Sequence, residues 1–368
     1  MTQEWSDRGK YSSYNSWKGL AFSLHYLAIV QDRLLPPIEA SLDPAGVCQL
    51  DCLWCGSYSF LNPKGSIYQD SACRIMPQGH LLKLVEFLIN WGVTGFCLGG
   101  GGEPSLNPDC TDAIYRIREK GREVAMVTNG VNLSAALIDA LHLCRWVGFS
   151  VDAATESEYH LLKGGPRDAF YRVLRNIDTL VRRVDGYCDV SFKFLVCPDN
   201  ARSILAACHL AKESGVREFH ARPAKIEGKE AYVGQGVAFD VPLIMDLFAA
   251  CHELEDDNFR VITSWHKFGE GFKARNDFSR CWASPLQIQC CAEGGVYNCQ
   301  DQRCEPRFRL GSHYPDPERI LDFWGKEEHL NLLKGIKPEE DCCACTYGPY
   351  QKQIEAVAVR DDMCIAFP

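Results

Sequence analysis

The chain has 368 residues, of which 46% are hydrophobic and 24% charged, and its formal net charge is −9. That length allows one large domain or two ordinary ones, each with a full hydrophobic core. The acidic balance repels phosphate backbones and so argues against non-specific nucleic-acid binding.

The N-terminal stretch MTQEWSDRGKYSSYNSWKG is polar and lacks the charged-then-apolar order of a secretory signal. The expected location is therefore the cytoplasm. The next stretch, LAFSLHYLAIV (20–30), is shorter than the roughly 20 apolar residues a membrane span needs. It reads as an amphipathic helix packed on the main domain, and no membrane partner is expected. PPIEASLD (36–43) reads as a strand. Helices then alternate with strands: helix 79–91, strand 93–99, helix 107–120, strand 122–130, helix 133–143, strand 146–153, helix 167–184, strand 188–196, helix 201–214 and strand 216–224.

Strands alternating with amphipathic helices make parallel β/α units. About six such units form a partial barrel, with its chemistry at the C-terminal ends of the strands. The stretches GGGGEP (99–104), TNG (128–130) and SVDA (150–153) fall at those ends. Beyond residue 225 the pattern changes to a loop or hairpin, KIEGKEAYVGQG, then a helix over 240–257. From Cys281 onward the chain is rich in cysteine. The expected organisation is an N-terminal extension (1–36), a partial (β/α)6 TIM-like barrel (37–225), a linker with a helix (226–280) and a small cysteine-rich domain (281–368).

Twenty cysteines in a chain without an export signal point to metal rather than disulfides. Cys97, Cys144, Cys197 and Cys208 lie in apolar runs and read as small buried hydrophobes. CQLDCLWCGS (48–57) is different, with three thiols inside eight positions. Iron–sulfur clusters usually take four thiolates. A cuboidal cluster held by three leaves one iron open, and an open coordination position is where a ligand binds. A zinc site is the plain alternative.

The spacing C-x3-C-x2-C, with Trp54 directly before the last cysteine, resembles the signature of the radical SAM superfamily. GGGGEP after the following strand strengthens the resemblance, because the family carries a G-G-E-P segment there. The resemblance implies a 4Fe–4S cluster on Cys48, Cys52 and Cys55, beside Trp54, whose open iron binds S-adenosylmethionine. One electron then cleaves the sulfonium C–S bond, and the 5′-deoxyadenosyl radical abstracts a substrate hydrogen. A low-potential donor of the flavodoxin or ferredoxin type is implied as well. Gly101, Gly102 and Glu103 would meet the methionine amino group, since glycine admits close backbone approach and a carboxylate complements ammonium. Asn129, Ser150 and Asp152 occupy strand ends where the family binds ribose and carboxylate, and Lys193 is a further candidate. Each also reads as a turn or capping residue.

In the C-terminal segment, Cys281, Gly294 and Cys299 form C-x12-G-x4-C, which resembles the opening motif of SPASM and twitch extensions. Those hold auxiliary 4Fe–4S clusters. Cys342 and Cys345 add C-x2-C, but Gln351 stands where the longer SPASM pattern continues with cysteine. That implies the twitch form, with one cluster on Cys281, Cys299, Cys342 and Cys345, fully ligated and suited to electron transfer. Structural zinc is again the alternative. Cys290, Cys291, Cys304, Cys343 and Cys364 have no assigned role, although Cys304 or Cys364 could replace one of the four ligands.

The expected function is a radical SAM oxidoreductase that dehydrogenates a small polar metabolite such as a sugar or aminocyclitol. The alternatives are a maturase that cross-links or epimerises a peptide, and a non-catalytic zinc-stabilised binding protein. The last leaves GGGGEP unexplained. His220, Arg222 and Lys225 follow the last barrel strand, where a cation would suit a carboxylate or phosphate. His266 lies farther on, before the second domain.

Overall fold

The computed structural model describes residues 16–55, 74–224, 239–264, 276, 278–342 and 345–358. Strands β1 (Glu39–Asp43), β2 (Gly95–Leu98), β3 (Glu123–Thr128), β4 (Trp146–Ser150), β5 (Asp189–Val196) and β6 (Glu218–Pro223) run parallel and pair in that order. Helix α1 (Ser23–Val30) precedes β1. Between the strands come α2 (His80–Trp91), α3 (Cys110–Glu119), α4 (Ala135–Leu141), α5 (Glu156–Lys163), α6 (Ala169–Val181) and α7 (Ile204–Glu213). This is the partial TIM-like barrel expected from the alternation.

The strands alternate in chemistry with period two. Ala40, Leu42, Phe96, Leu98, Val124, Met126, Val147, Phe149, Val190, Phe192, Phe194 and Phe219 are buried in one core with the apolar faces of the helices. Burying a large side chain of this kind contributes roughly 1.5–3 kcal/mol, so this face holds the fold together. The opposite parity carries Glu39, Ser41 and Asp43 on β1, Lys193 on β5, and Glu218 and His220 on β6. Strands of a parallel sheet are usually apolar on both faces. Here the second face carries polar side chains on β1, β5 and β6.

Before the cysteine-rich segment, two elements escaped the sequence reading. Helix α5 has eight residues, too short for clear periodicity. Its start is nevertheless signalled: Thr155 accepts the Glu158 N–H as N-cap, and Glu158, three residues on, accepts the Ala154 N–H. The second is β7 (Arg260–Thr263), which follows α8 (Val241–His252) and pairs in parallel with β6. It lies in the segment read as linker, and four residues give little pattern.

Strand β8 (Gln287–Cys291) pairs in parallel with the free side of β1. β9 (Gly295–Tyr297) and β10 (Arg309–Ser312) continue antiparallel from it. The ten strands thus form one sheet in the order β10-β9-β8-β1-β2-β3-β4-β5-β6-β7, which does not close on itself among the described residues. After α9 (Glu327–Gly335), the chain ends its described part in α10 (Gly348–Ala358). Helix α1 packs through Tyr26 and Ile29 on Ile354 of α10 and on Trp282, Ala283 and Leu286. It was expected on the barrel and instead braces the C-terminal segment. Leu20, Leu24 and Leu27 remain exposed on and just before it.

Candidate active site

The three-cysteine loop leaves β1 and is held by backbone. Asp51 N–H donates to the Lys163 carbonyl (2.9 Å) and Leu53 N–H to the Leu162 carbonyl (3.0 Å), so the loop rests on the end of α5. Trp54 is buried with Leu162, Cys197 and Ala224 and packs beneath the loop. Cys48 Sγ lies 3.5 Å from both the Leu50 N–H and Asn129 Nδ2. Burial raises the pKa of the Cys48 thiol and pushes that of Cys52 up to about 12. These thiols give up their protons when a metal replaces them.

The glycine-rich turn after β2 lies against this loop, backbone on backbone. Glu103 N–H donates to the Val47 carbonyl at 2.8 Å. A Cβ on Gly102 would stand 2.2 Å from Val47 O, 2.6 Å from Ala45 O and 2.6 Å from Val47 N. The Glu103 carboxylate is 2% exposed and accepts from Thr128 Oγ1 (2.6 Å), Asn129 N (2.7 Å) and Ser105 N (3.1 Å). It joins the ends of β2 and β3, and burial raises its pKa. Asn129 completes the junction, because its Oδ1 accepts from Gln49 Nε2 (3.1 Å) and Val131 N (3.0 Å). The expected cofactor residues Gly102, Glu103 and Asn129 are therefore gathered around Cys48.

Ser150 and Asp152 close β4 in another way. Lys163, fully buried and overlooked in the sequence, places Nζ 2.5 Å from the Ser150 carbonyl and 2.6 Å from Asp152 Oδ2. Asp152 Oδ1 accepts the Leu195 N–H at 2.7 Å, and its backbone holds φ +61°. Its carboxylate is thus occupied on both oxygens by this chain's own donors.

Lys193 belongs to a separate polar group on β5 and β6. Its Nζ is 3.1 Å from His220 Nδ1 and 3.4 Å from Glu218 Oε1, and burial lowers its pKa. Glu218 also accepts from Ser191 Oγ (2.9 Å) and Arg260 Nε (3.2 Å). Arg222, two residues beyond His220, is exposed. Lys225 and His266 lie outside the described residues, as do Cys343 and Cys364.

In the C-terminal segment Cys281, Cys299, Cys342 and Cys345 line one cavity. Each sulfur faces an N–H donor. Asp301 N lies 3.4 Å from Cys299 Sγ and Gln302 Nε2 3.8 Å from Cys342 Sγ. Gln351 Nε2 lies 3.5 Å from Cys281 Sγ and 3.6 Å from Cys345 Sγ. Thiolate ligands are routinely oriented by such donors, so this chamber suits a four-thiolate centre. Cys291 instead donates to Asp43 Oδ2 at 3.6 Å and accepts from Gln289 Nε2 at 3.5 Å. Arg303 ties this region to the barrel: its Nη1 is 3.0 Å from Asp43 Oδ2, which also accepts the Gly101 N–H at 2.9 Å. Among the described residues, no three His, Cys, Asp or Glu side chains gather tightly enough for a single metal ion.

The sequence pattern of the radical SAM superfamily matches residues 43–211, from the last residue of β1 to within α7. Residues 43–211 are a radical SAM domain. Over 116 residues the chain is 30% identical to the S-adenosylmethionine-dependent nucleotide dehydratase of Flammeovirga pacifica. That match covers 30% of this chain and 37% of the relative, so well under half of the relative's length is spanned. The fold resembles that of SuiB from Streptococcus suis, solved bound to its precursor peptide SuiA, with a TM-score of 0.62 and 14% identity. That likeness covers 95% of this chain and 81% of SuiB. It also resembles anSMEcpe with bound AdoMet, with a TM-score of 0.58 and 16% identity, over 88% of this chain and 97% of that one. These likenesses show a shared fold that extends beyond the radical SAM domain into the cysteine-rich segment. No helix among the described residues is long and apolar enough to cross a membrane.

Proposed function

We propose that this radical SAM enzyme is an oxidoreductase. Cys48, Cys52 and Cys55 would hold the cluster that meets S-adenosylmethionine, and Cys281, Cys299, Cys342 and Cys345 an auxiliary 4Fe–4S cluster. When bound, these groups supply the electron that releases the 5′-deoxyadenosyl radical and an acceptor for the electron the substrate radical gives up. The observation that carries this reading is the C-terminal chamber, in which four cysteines each face an N–H donor. Four thiolates fill a cluster's coordination, which suits electron transfer rather than substrate binding.

The residues of the chain divide the remaining work. Leu50 N–H and Asn129 Nδ2 steady the Cys48 sulfur. The glycine-rich turn offers close backbone for the methionine end of the cofactor. Oxidising a carbinol carbon also requires the hydroxyl proton to leave. His220, whose Nδ1 lies 3.1 Å from Lys193 Nζ, stands with that lysine on the polar face where such a proton would be received. That face favours a small polar substrate such as a sugar or aminocyclitol. A peptide substrate is the second reading, supported by the fold shared with SuiB, which was solved with a precursor peptide. A flavodoxin- or ferredoxin-type donor would supply the reducing electron.

The test combines metal analysis with cleavage. Anaerobically reconstituted protein should hold about eight irons per chain, falling to about four in the Cys48→Ala/Cys52→Ala/Cys55→Ala variant. Zinc in place of iron would support the non-catalytic alternative. With dithionite, Cys48→Ala should form no 5′-deoxyadenosine, and retained formation would refute the assignment. Cys281→Ala should still cleave S-adenosylmethionine but yield no oxidised product, whereas full turnover would remove the auxiliary cluster from the mechanism.

A further inference from the structure

We propose that Gln351 sets the reduction potential of the auxiliary centre by donating both carboxamide hydrogens to two of its ligand sulfurs. This rests on the reading of the four-cysteine chamber as a 4Fe–4S site.

The orientation of the side chain is fixed by its other end. Gln351 lies in α10 and is 2% exposed. Its Oε1 accepts the Trp282 N–H at 2.5 Å and the Ala283 N–H at 2.8 Å. Only the oxygen of a carboxamide can accept two backbone N–H groups, so the flipped amide is excluded. The Nε2 is thereby turned into the chamber, 3.5 Å from Cys281 Sγ and 3.6 Å from Cys345 Sγ. One anchored group with two hydrogens serves two sulfurs.

Reduction adds negative charge to a cluster and to the sulfurs around it. N–H dipoles aimed at those sulfurs stabilise the reduced form, and hydrogen bonds of this kind are among the main determinants of cluster potential. A cysteine at position 351 would bring another thiol to this place. Glutamine brings a neutral donor and leaves the four-thiolate set intact. The chain thus turns a departure from the longer cysteine pattern into a means of keeping the acceptor reducible.

The experiment uses the full chain carrying Cys48→Ala/Cys52→Ala/Cys55→Ala, so that any cluster signal comes from the C-terminal chamber. Iron content is measured, and the midpoint potential is read by redox titration followed by electron paramagnetic resonance. Gln351→Leu removes the donor, while Gln351→Glu keeps an anchored oxygen and turns an acceptor toward the sulfurs. Both should retain about four irons. Both should shift the reduction equilibrium toward the oxidised form by at least about tenfold, ~59 mV for one electron. Retained iron with an unchanged potential would overturn the proposal. Loss of iron from both variants, with circular dichroism matching the parent, would also overturn it and assign Gln351 to cluster assembly. A parent that holds no iron–sulfur centre would overturn the reading of the chamber itself, an outcome distinct from either of these.

Discussion

Gly102→Ala is expected to strip iron from the three-cysteine loop and abolish formation of 5′-deoxyadenosine. The added methyl would lie 2.2–2.6 Å from three backbone atoms of Ala45 and Val47. Contacts that short do not occur, and no rotamer change relieves a clash with backbone. The turn and the loop must therefore separate, losing the bond between Glu103 N–H and the Val47 carbonyl. Val47 directly precedes Cys48, so the displacement falls on the first ligand. Asn129, held by Glu103 and donating to the Cys48 sulfur, would move with the turn. Iron and sulfide per chain after reconstitution, with 5′-deoxyadenosine yield, measure the effect. Gly335→Ala, whose new Cβ would meet nothing within 4 Å, serves as control. Iron content and cleavage matching the control would show that the close approach is dispensable.

Lys163→Met is expected to destabilise the fold by about 3–5 kcal/mol, the usual cost of leaving one member of a buried ion pair without its partner. Both side chains are 2% exposed. Removing the ammonium strands a buried carboxylate at a residue held at φ +61°, a region that Asp and Asn enter more readily than other non-glycine residues. It also frees the Ser150 carbonyl that Lys163 caps. Denaturant unfolding of the metal-free chain measures the loss. Adding Asp152→Asn to Lys163→Met should recover part of it, because a neutral amide costs less to bury than an unpaired charge. A single variant within about 0.5 kcal/mol of the parent would place the pair among ion pairs of no net consequence.

The barrel could be read from the chain because its information is local. Each of β1–β6 carries apolar residues at every second position and ends in a polar or glycine-rich turn. The candidate ligand cysteines stand out in the chain as well, since their spacing is short and their chemistry narrow. What stayed hidden depends on partners brought together by folding. Lys163 looks like an ordinary surface lysine until α5 sets it against Asp152, eleven positions back. Glu103 is visible as the carboxylate of the glycine-rich turn, but its donors Thr128 and Asn129 come from the end of β3. Lys193 stands out in the chain only by its place on β5, and its pairing opposite His220 on β6 comes from the register. Gln351 registered in the sequence only as a missing cysteine.

Strand β1 has a consequence for how the protein is made. It begins at residue 39, but its second neighbour, β8, is complete only at residue 291. Asp43 and Cys291, paired at the end of that ladder, are 248 positions apart. A nascent chain emerging from the ribosome can therefore assemble β1 through β7 while one side of β1 still offers unpaired N–H and C=O groups. Such an edge recruits other chains, and long-range parallel pairing is slow to form. The cysteine-rich segment thus acts as a late-arriving cover for the first strand of the radical SAM domain. A fragment cut at residue 225 would retain Cys48, Cys52 and Cys55 and still present that edge to its neighbours, making aggregation the expected fate of the barrel produced alone.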